Sequence, residues 1–294
     1  MVHNHEHHSH EHVHQLSSLN KSFIVGITLN ILFVLVEFGI GFYYDSLGLL
    51  SDAGHNLGDV ASLVLAMLAF RLTKVHPNSR YTYGYKKSTV LVSLLNAVIL
   101  LVTVGIIIAE SIGKLLHPTP VEGAAIAWTA GVGVVINAVT AWLFMKDKEK
   151  DLNVKGAYLH MAADTLVSVG VVISGIIIMY TGWTIVDPII GLVIAVIIVI
   201  STWGVLHDSL RLSLDGVPVG IDTEKIEQLI LSQPGVVGYH HLHIWALSTT
   251  ETALTVHIVL DEMNHMEEAK HLIRHALEDA GIHHAVSYTH LTLP

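Results

Sequence analysis

The stretch SLGLLSDAGHNLGD, residues 46–59, is an apolar segment broken by Asp52, His55, Asn56 and Asp59. A second stretch, GAYLHMAADTLVSVGVVISG at 156–175, is broken by His160 and Asp164. Each contains one H-x-x-x-D. On a helix, positions i and i+4 lie on one face, one turn apart. Each segment therefore presents an imidazole and a carboxylate in the same direction. Ionisable groups inside such segments are costly and mark function.

These are the second and fifth of six apolar runs, at about 20–44, 48–71, 87–115, 121–145, 156–180 and 185–209. About 20 helical residues cross a bilayer of roughly 30 Å, so each run is long enough to span. Of the 294 residues 52 % are hydrophobic and only 14 % charged, against roughly 25 % charged in soluble domains. Lys and Arg gather on one side. Arg71, Lys74, Arg80, Lys86 and Lys87 lie between runs two and three, and Lys146, Lys148, Lys150 and Lys155 between four and five. Lys21 precedes the first run, Arg211 follows the last, and only Lys114 falls on the other side. The positive-inside rule then places both termini in the cytoplasm. The expected fold is an all-α membrane bundle of six helices over residues 20–211, in the inner or plasma membrane.

Residues 212–294 read as a small cytosolic α+β domain of order α-β-β-α-β. Asp222 caps a helix, Pro234-Gly235 ends it, and strands follow at about 236–246 and 252–260. A helix over about 264–280 stops at Gly281, and a third strand begins at 282. Residues 1–19 form a leader without fixed structure. It carries His3, His5, His7, His8, His10, His12 and His14, and such tracts bind metal loosely. The absence of cysteine excludes disulfides and thiolate metal sites. The net charge of −10 argues against nucleic acid as a partner.

With the amino terminus inside, spans two and five run antiparallel, and their His-Asp pairs meet at one level only near the membrane middle. Two nitrogens and two oxygens suit tetrahedral Zn²⁺. His55, Asp59, His160 and Asp164 are thus the expected ligands of a transported metal, and a three-span offset between the pairs hints at inverted halves. Glu37, Asn30, Asn96 and Asn137 are expected to make interhelical hydrogen bonds. Two other readings compete: a membrane metal sensor and a membrane metallo-oxidoreductase. Paired carboxylates do not suit haem, and the H-E-x-x-H of a metalloprotease is absent.

Several motifs together resemble the cation diffusion facilitator family, its zinc-transporter group in particular. Besides the two stretches above they are YTYGYKKSTVLVSLLNA at 81–97, VDPIIGLVIA at 186–195, LDGVP at 214–218 and HHLHIWALS at 240–248. The resemblance covers about 20–285. It implies a homodimer with a metallochaperone-like cytosolic domain that exports divalent metal against an inward flow of protons. It assigns transport to His55, Asp59, His160 and Asp164, with histidine at 55 marking the zinc-selective members. It also implies a cytosolic site for regulatory zinc at His240, His257 and His284. Lys86 and Lys87 stand where the family often has an interfacial histidine, and His76 substitutes poorly. The closing VSYTHLTLP, residues 286–294, departs from the family pattern and reads as foreign to it.

Overall fold

A computed structural model describes residues 8–43, 47–117, 123–149, 151–183, 185–262 and 266–291; within these, the side chains of 8–20, 47–55, 123–127, 287–291 and a few isolated residues are not described. The chain divides into two units, Met1–Arg71 with Val92–Leu206, and Leu72–Leu91 with His207–Pro294.

The first unit is helical. Its elements are α1 (His8–Tyr43), α2 (Leu47–Leu72), α3 (Ser88–Leu116), α4 (Gly123–Met145), α5 (Leu152–Thr181) and α6 (Val186–Ser213), the ends of α2, α3 and α6 running into the second unit. Among the described residues, Lys21–Ile40, Ser88–Leu116 and Gly191–Ser213 are long and apolar enough to cross a membrane, and Ala130–Met145 is a shorter apolar helix. Helix α1 starts at His8, inside the leader that the sequence reading leaves without structure. Residues 8–20 contain neither Gly nor Pro, so nothing in them stops a helix already nucleated by the apolar run behind.

One core draws on α1, α2, α4 and α5: Phe23, Val34, Leu63, Phe70, Phe144, Val154 and Met161. Phe23 and Phe144 pack with ring centroids 4.8 Å apart. A Cβ at Gly26 would stand 2.9 Å from Thr140 Cγ2, so α1 and α4 approach this closely only over glycine. A smaller cluster of Leu100, Val104, Ala163, Ala195 and Ile198 joins α3, α5 and α6. The outward faces are also apolar, with Leu32, Leu35, Val102 and Ile200 exposed. Exposed Tyr43, Trp128, Tyr180 and Trp183 stand at or near helix ends, where aromatic residues gather at membrane interfaces.

The second unit holds α7 (Thr223–Leu231), β1 (Val236–Ala246), β2 (Thr252–Leu260), α8 (Met266–Asp279) and β3 (His284–Leu291). The sheet order is β1-β2-β3, with β1 antiparallel to β2 and β3 parallel to it. The parallel pair needs the α8 crossover between its strands. Alternation in β2 buries Leu254, Val256, Ile258 and Leu260 with Ile226 and Ile230 of α7 and Ala269, Ile273 and Leu277 of α8. Gly281, at φ +85°, turns the chain out of α8. The closing stretch takes part in the sheet, with Val286–Leu291 paired to Thr255–Leu260; residues 292–294 lie outside the description.

Residues Leu72–Leu91 belong to this second unit, although hydropathy assigns them to a loop and the start of a span. Two lysines explain it. Lys86 pairs with Glu251, and Lys87 Nζ donates to Leu212 O at 2.8 Å, Ala246 O at 3.1 Å and Asp215 Oδ1 at 2.6 Å. The Thr249 N–H donates to Thr89 Oγ1 at 3.1 Å.

Asp222 Oδ1 accepts the Lys225 N–H at the start of α7, and this bond holds its carboxyl below the usual carboxylate range. A depressed folded pKa adds stability that is full above the unfolded value and is lost as pH falls through the folded one. Asp222→Asn keeps an acceptor but cannot titrate. Thermal unfolding in acid should therefore show a smaller loss for Asp222→Asn than for the parent; parallel losses would contradict the cap.

Candidate metal centre

Helix periodicity places Asp59 on α2 and both His160 and Asp164 on α5, all buried. Their ligand atoms lie within 4.8 Å of one another. His160 Nε2 is 2.7 Å from Asp59 Oδ1, a distance at which an imidazole N–H donates to the carboxylate. The same nitrogen is 3.8 Å from Asp164 Oδ2. Among the described residues, Asp59 Oδ2 has no hydrogen-bond donor although it is buried. A buried carboxylate oxygen without a donor is costly, and a cation is the group that would satisfy it. The structure thus brings together three of the four expected ligands. His55 stands one turn before Asp59 on α2, and its side chain lies outside the described residues, as does that of Asp52.

The surroundings are tight. A cavity of about 10 Å³, lined by His160, Ser62, Asn96, Thr202 and apolar neighbours, adjoins the site. That is room for about one water. Asn96 Nδ2 donates to Ser62 O at 3.3 Å beside this cavity; elsewhere in the unit Asn30 Nδ2 donates to Thr140 Oγ1 at 3.3 Å and Asn56 Nδ2 to Glu37 Oε2 at 2.7 Å. Asn56 is a polar residue that the H-x-x-x-D pattern does not single out, and its place beside His55 is the one sign of it in the sequence.

In the second unit, His240 and His257 face each other across β1 and β2. The third histidine beside them is His241, not His284. Ring centroids are 5.0 Å apart for His240 and His257, 4.8 Å for His240 and His241, and 5.4 Å for His241 and His257. Successive strand residues normally point to opposite faces. Here the ladder slips between His240 and His243, and His241 has φ +54°, so the irregularity returns its ring to the face of His240. His284 pairs with Ala253, four residues from His257 along β2. That places it about 13 Å away at roughly 3.3 Å per residue. It packs edge-on to Tyr83 instead. In the leader, His8, His10, His12 and His14 lie on the α1 backbone with side chains outside the description, and His3, His5 and His7 lie outside it altogether.

Two family models match the chain, one over each part of it. The cation efflux transmembrane domain matches residues 23–212, and the cation efflux protein cytoplasmic domain matches 218–291. The chain belongs to the cation diffusion facilitator family. It is a family of transporters and not of enzymes. A cadmium, cobalt and zinc/H(+)-K(+) antiporter of Bacillus subtilis is 35 % identical over 257 residues, covering 86 % of this chain and 83 % of the relative. The zinc transporter ZitB of Escherichia coli is 34 % identical over 288 residues, 94 % of this chain and 91 % of the relative. The metal cation efflux system protein CzcD of Cupriavidus metallidurans is 35 % identical over 258 residues, 86 % and 82 %.

The left-handed backbone at His241 costs a side-chain-bearing residue about 1 kcal/mol that glycine avoids. His241→Gly should therefore raise the thermal stability of the protein, read by differential scanning calorimetry. A fall in stability would contradict the strain assigned to the irregular strand.

Proposed function

We propose that the chain is an integral membrane protein of six spans, α1 to α6, with both termini cytoplasmic, which exports divalent metal, chiefly Zn²⁺, in exchange for protons. The observation that carries this reading is the buried meeting of Asp59, His160 and Asp164 between two helices of an apolar unit. The relatives' names support it: they describe zinc, cadmium and cobalt efflux and antiport. The apolar outer faces and the aromatic residues near helix ends fit a bilayer as surroundings, in an inner or plasma membrane.

His55 supplies the fourth ligand, one turn from Asp59. Imidazole is a softer donor than carboxylate, so a two-nitrogen, two-oxygen set favours Zn²⁺ over Mg²⁺ and Ca²⁺. Exchange follows from the metal-free geometry. His160 Nε2 and Asp59 Oδ1 stand 2.7 Å apart, with a proton between them when the imidazole N–H donates to the carboxylate. A metal that takes both atoms must expel that proton. Binding from the cytoplasm releases protons, the helices then open the site outward, and protons from outside displace the metal. In the second unit, His240, His241 and His257 bind regulatory zinc, and a homodimer forms through this unit, as the dimerisation domain of the family supports. The His-rich leader gathers metal near the entrance.

The test uses purified protein in liposomes, with a zinc dye and a pH dye inside. Zinc uptake should depend on the pH gradient, with protons moving opposite to zinc, and Asp59→Ala and Asp164→Ala should each reduce it by about 100-fold or more, beyond the about 10–100-fold that losing an outer partner of a metal ligand costs. Zinc binding without flux in the parent would overturn the transporter reading in favour of a sensor.

A further inference from the structure

Outside the ligand set, α1 carries, among its described side chains, two enclosed polar ones, Asn30 at 1 % and Glu37 at 0 % exposure. Their spacing of seven residues is close to two helical turns, so both lie on one face of α1. Each reaches toward a helix that carries metal ligands. Asn30 Nδ2 lies 3.8 Å from Sδ of Met161, the residue after His160. Glu37 Oε2 accepts from Asn56 Nδ2 at 2.7 Å. Asn56 is buried and stands three residues before Asp59, so the two share one side of α2.

We propose that Glu37 is a positioning residue for the transport site: through Asn56 it holds α2 in the rotation that brings Asp59 to His160. Magnitudes favour this over a merely filled gap. On a helix of roughly 10–12 Å diameter, a turn of about 20° carries a side-chain tip by about 2 Å. Metal ligation tolerates only about 0.2 Å. The packed apolar face of α2 sets its rotation coarsely, and the short, directional hydrogen bond from Asn56 to Glu37, both buried, selects one setting within that range. A glutamate in an apolar helix is expensive, and here its carboxylate meets an amide next to the ligands. What Asn56 requires is an acceptor oxygen rather than a charge. A glutamine at position 37 would supply one; a leucine would not.

This inference rests on the site reading above, and Asp59→Ala is measured alongside to keep the two apart. The experiment determines KM and Vmax for zinc uptake into liposomes, the pH profile of uptake, and zinc affinity in detergent. Glu37→Leu and Asn56→Leu should raise KM about 10-fold or more, as losing an outer partner of a metal site does. Glu37→Gln should change KM by no more than about fivefold, the margin between a charge-assisted and a neutral hydrogen bond, with the pH profile unmoved. Asn56→Asp alone should impair uptake by setting two carboxylates together. Glu37→Gln combined with Asn56→Asp should recover it, the introduced amide donating to the introduced carboxylate. If the leucine variants fail to fold, recovery by the double variant carries the test.

A Glu37→Gln variant as impaired as Glu37→Leu, or with a shifted pH profile, would overturn the proposal in favour of a proton-carrying glutamate. Failure of the double variant to recover, or leucine variants with parental KM, would also overturn it. If Asp59→Ala abolishes uptake while Glu37→Leu leaves it intact, only this inference fails. If Asp59→Ala transports normally, the site reading itself fails.

Discussion

A carboxylate enclosed among apolar side chains must have a cation or a proton beside it. Asp59, His160 and Asp164 meet this demand only in part: the His160 imidazole bonds Asp59 Oδ1 and stands 3.8 Å from Asp164, while Asp59 Oδ2 keeps no donor among the described residues. The polar contacts around them are consequences of the same demand. Asn30 and Asn56, both buried, pair with Thr140 and Glu37, and Asn96 with the Ser62 carbonyl beside the cavity. A metal that takes both His160 Nε2 and Asp59 Oδ1 must displace the proton between them, which links this apolar helical unit to exchange chemistry.

Much of this was legible in the sequence because two periodicities carry it. The 3.6-residue repeat puts His160 and Asp164 on one face of α5, and reading it requires no tertiary knowledge. The two-residue repeat of Leu254, Val256, Ile258 and Leu260 declares β2 and its buried face, and Asp222 and Gly281 mark where helices start and stop. The α-β-β-α-β order follows from those signals alone.

What escaped the sequence lies where a local rule is broken or a long-range register decides. His241 is adjacent to His240, and alternation sends it to the opposite face; only the slipped ladder and its left-handed backbone bring it back. His284 shares a unit with His257 but enters the sheet four residues along, a register set by the α8 crossover and invisible in the strand itself. The segment Leu72–Leu91 reads as a loop and the head of a span, yet Lys86 and Lys87 find acceptors on Glu251, Asp215 and two carbonyls, contacts more than 120 residues away in sequence. The helical backbone from His8 escaped because composition speaks of polarity, and helix propagation depends on what lies next in the chain.

The central claim is that the metal is held between α2 and α5. Anomalous diffraction at the zinc edge, from zinc-loaded protein carrying His240→Ala and His257→Ala, tests it most directly. The account predicts a single strong peak in the first unit, about 2.0–2.2 Å from ligand atoms of Asp59, His160, Asp164 and His55. Zinc bound elsewhere, with these four residues left without a peak, would contradict it.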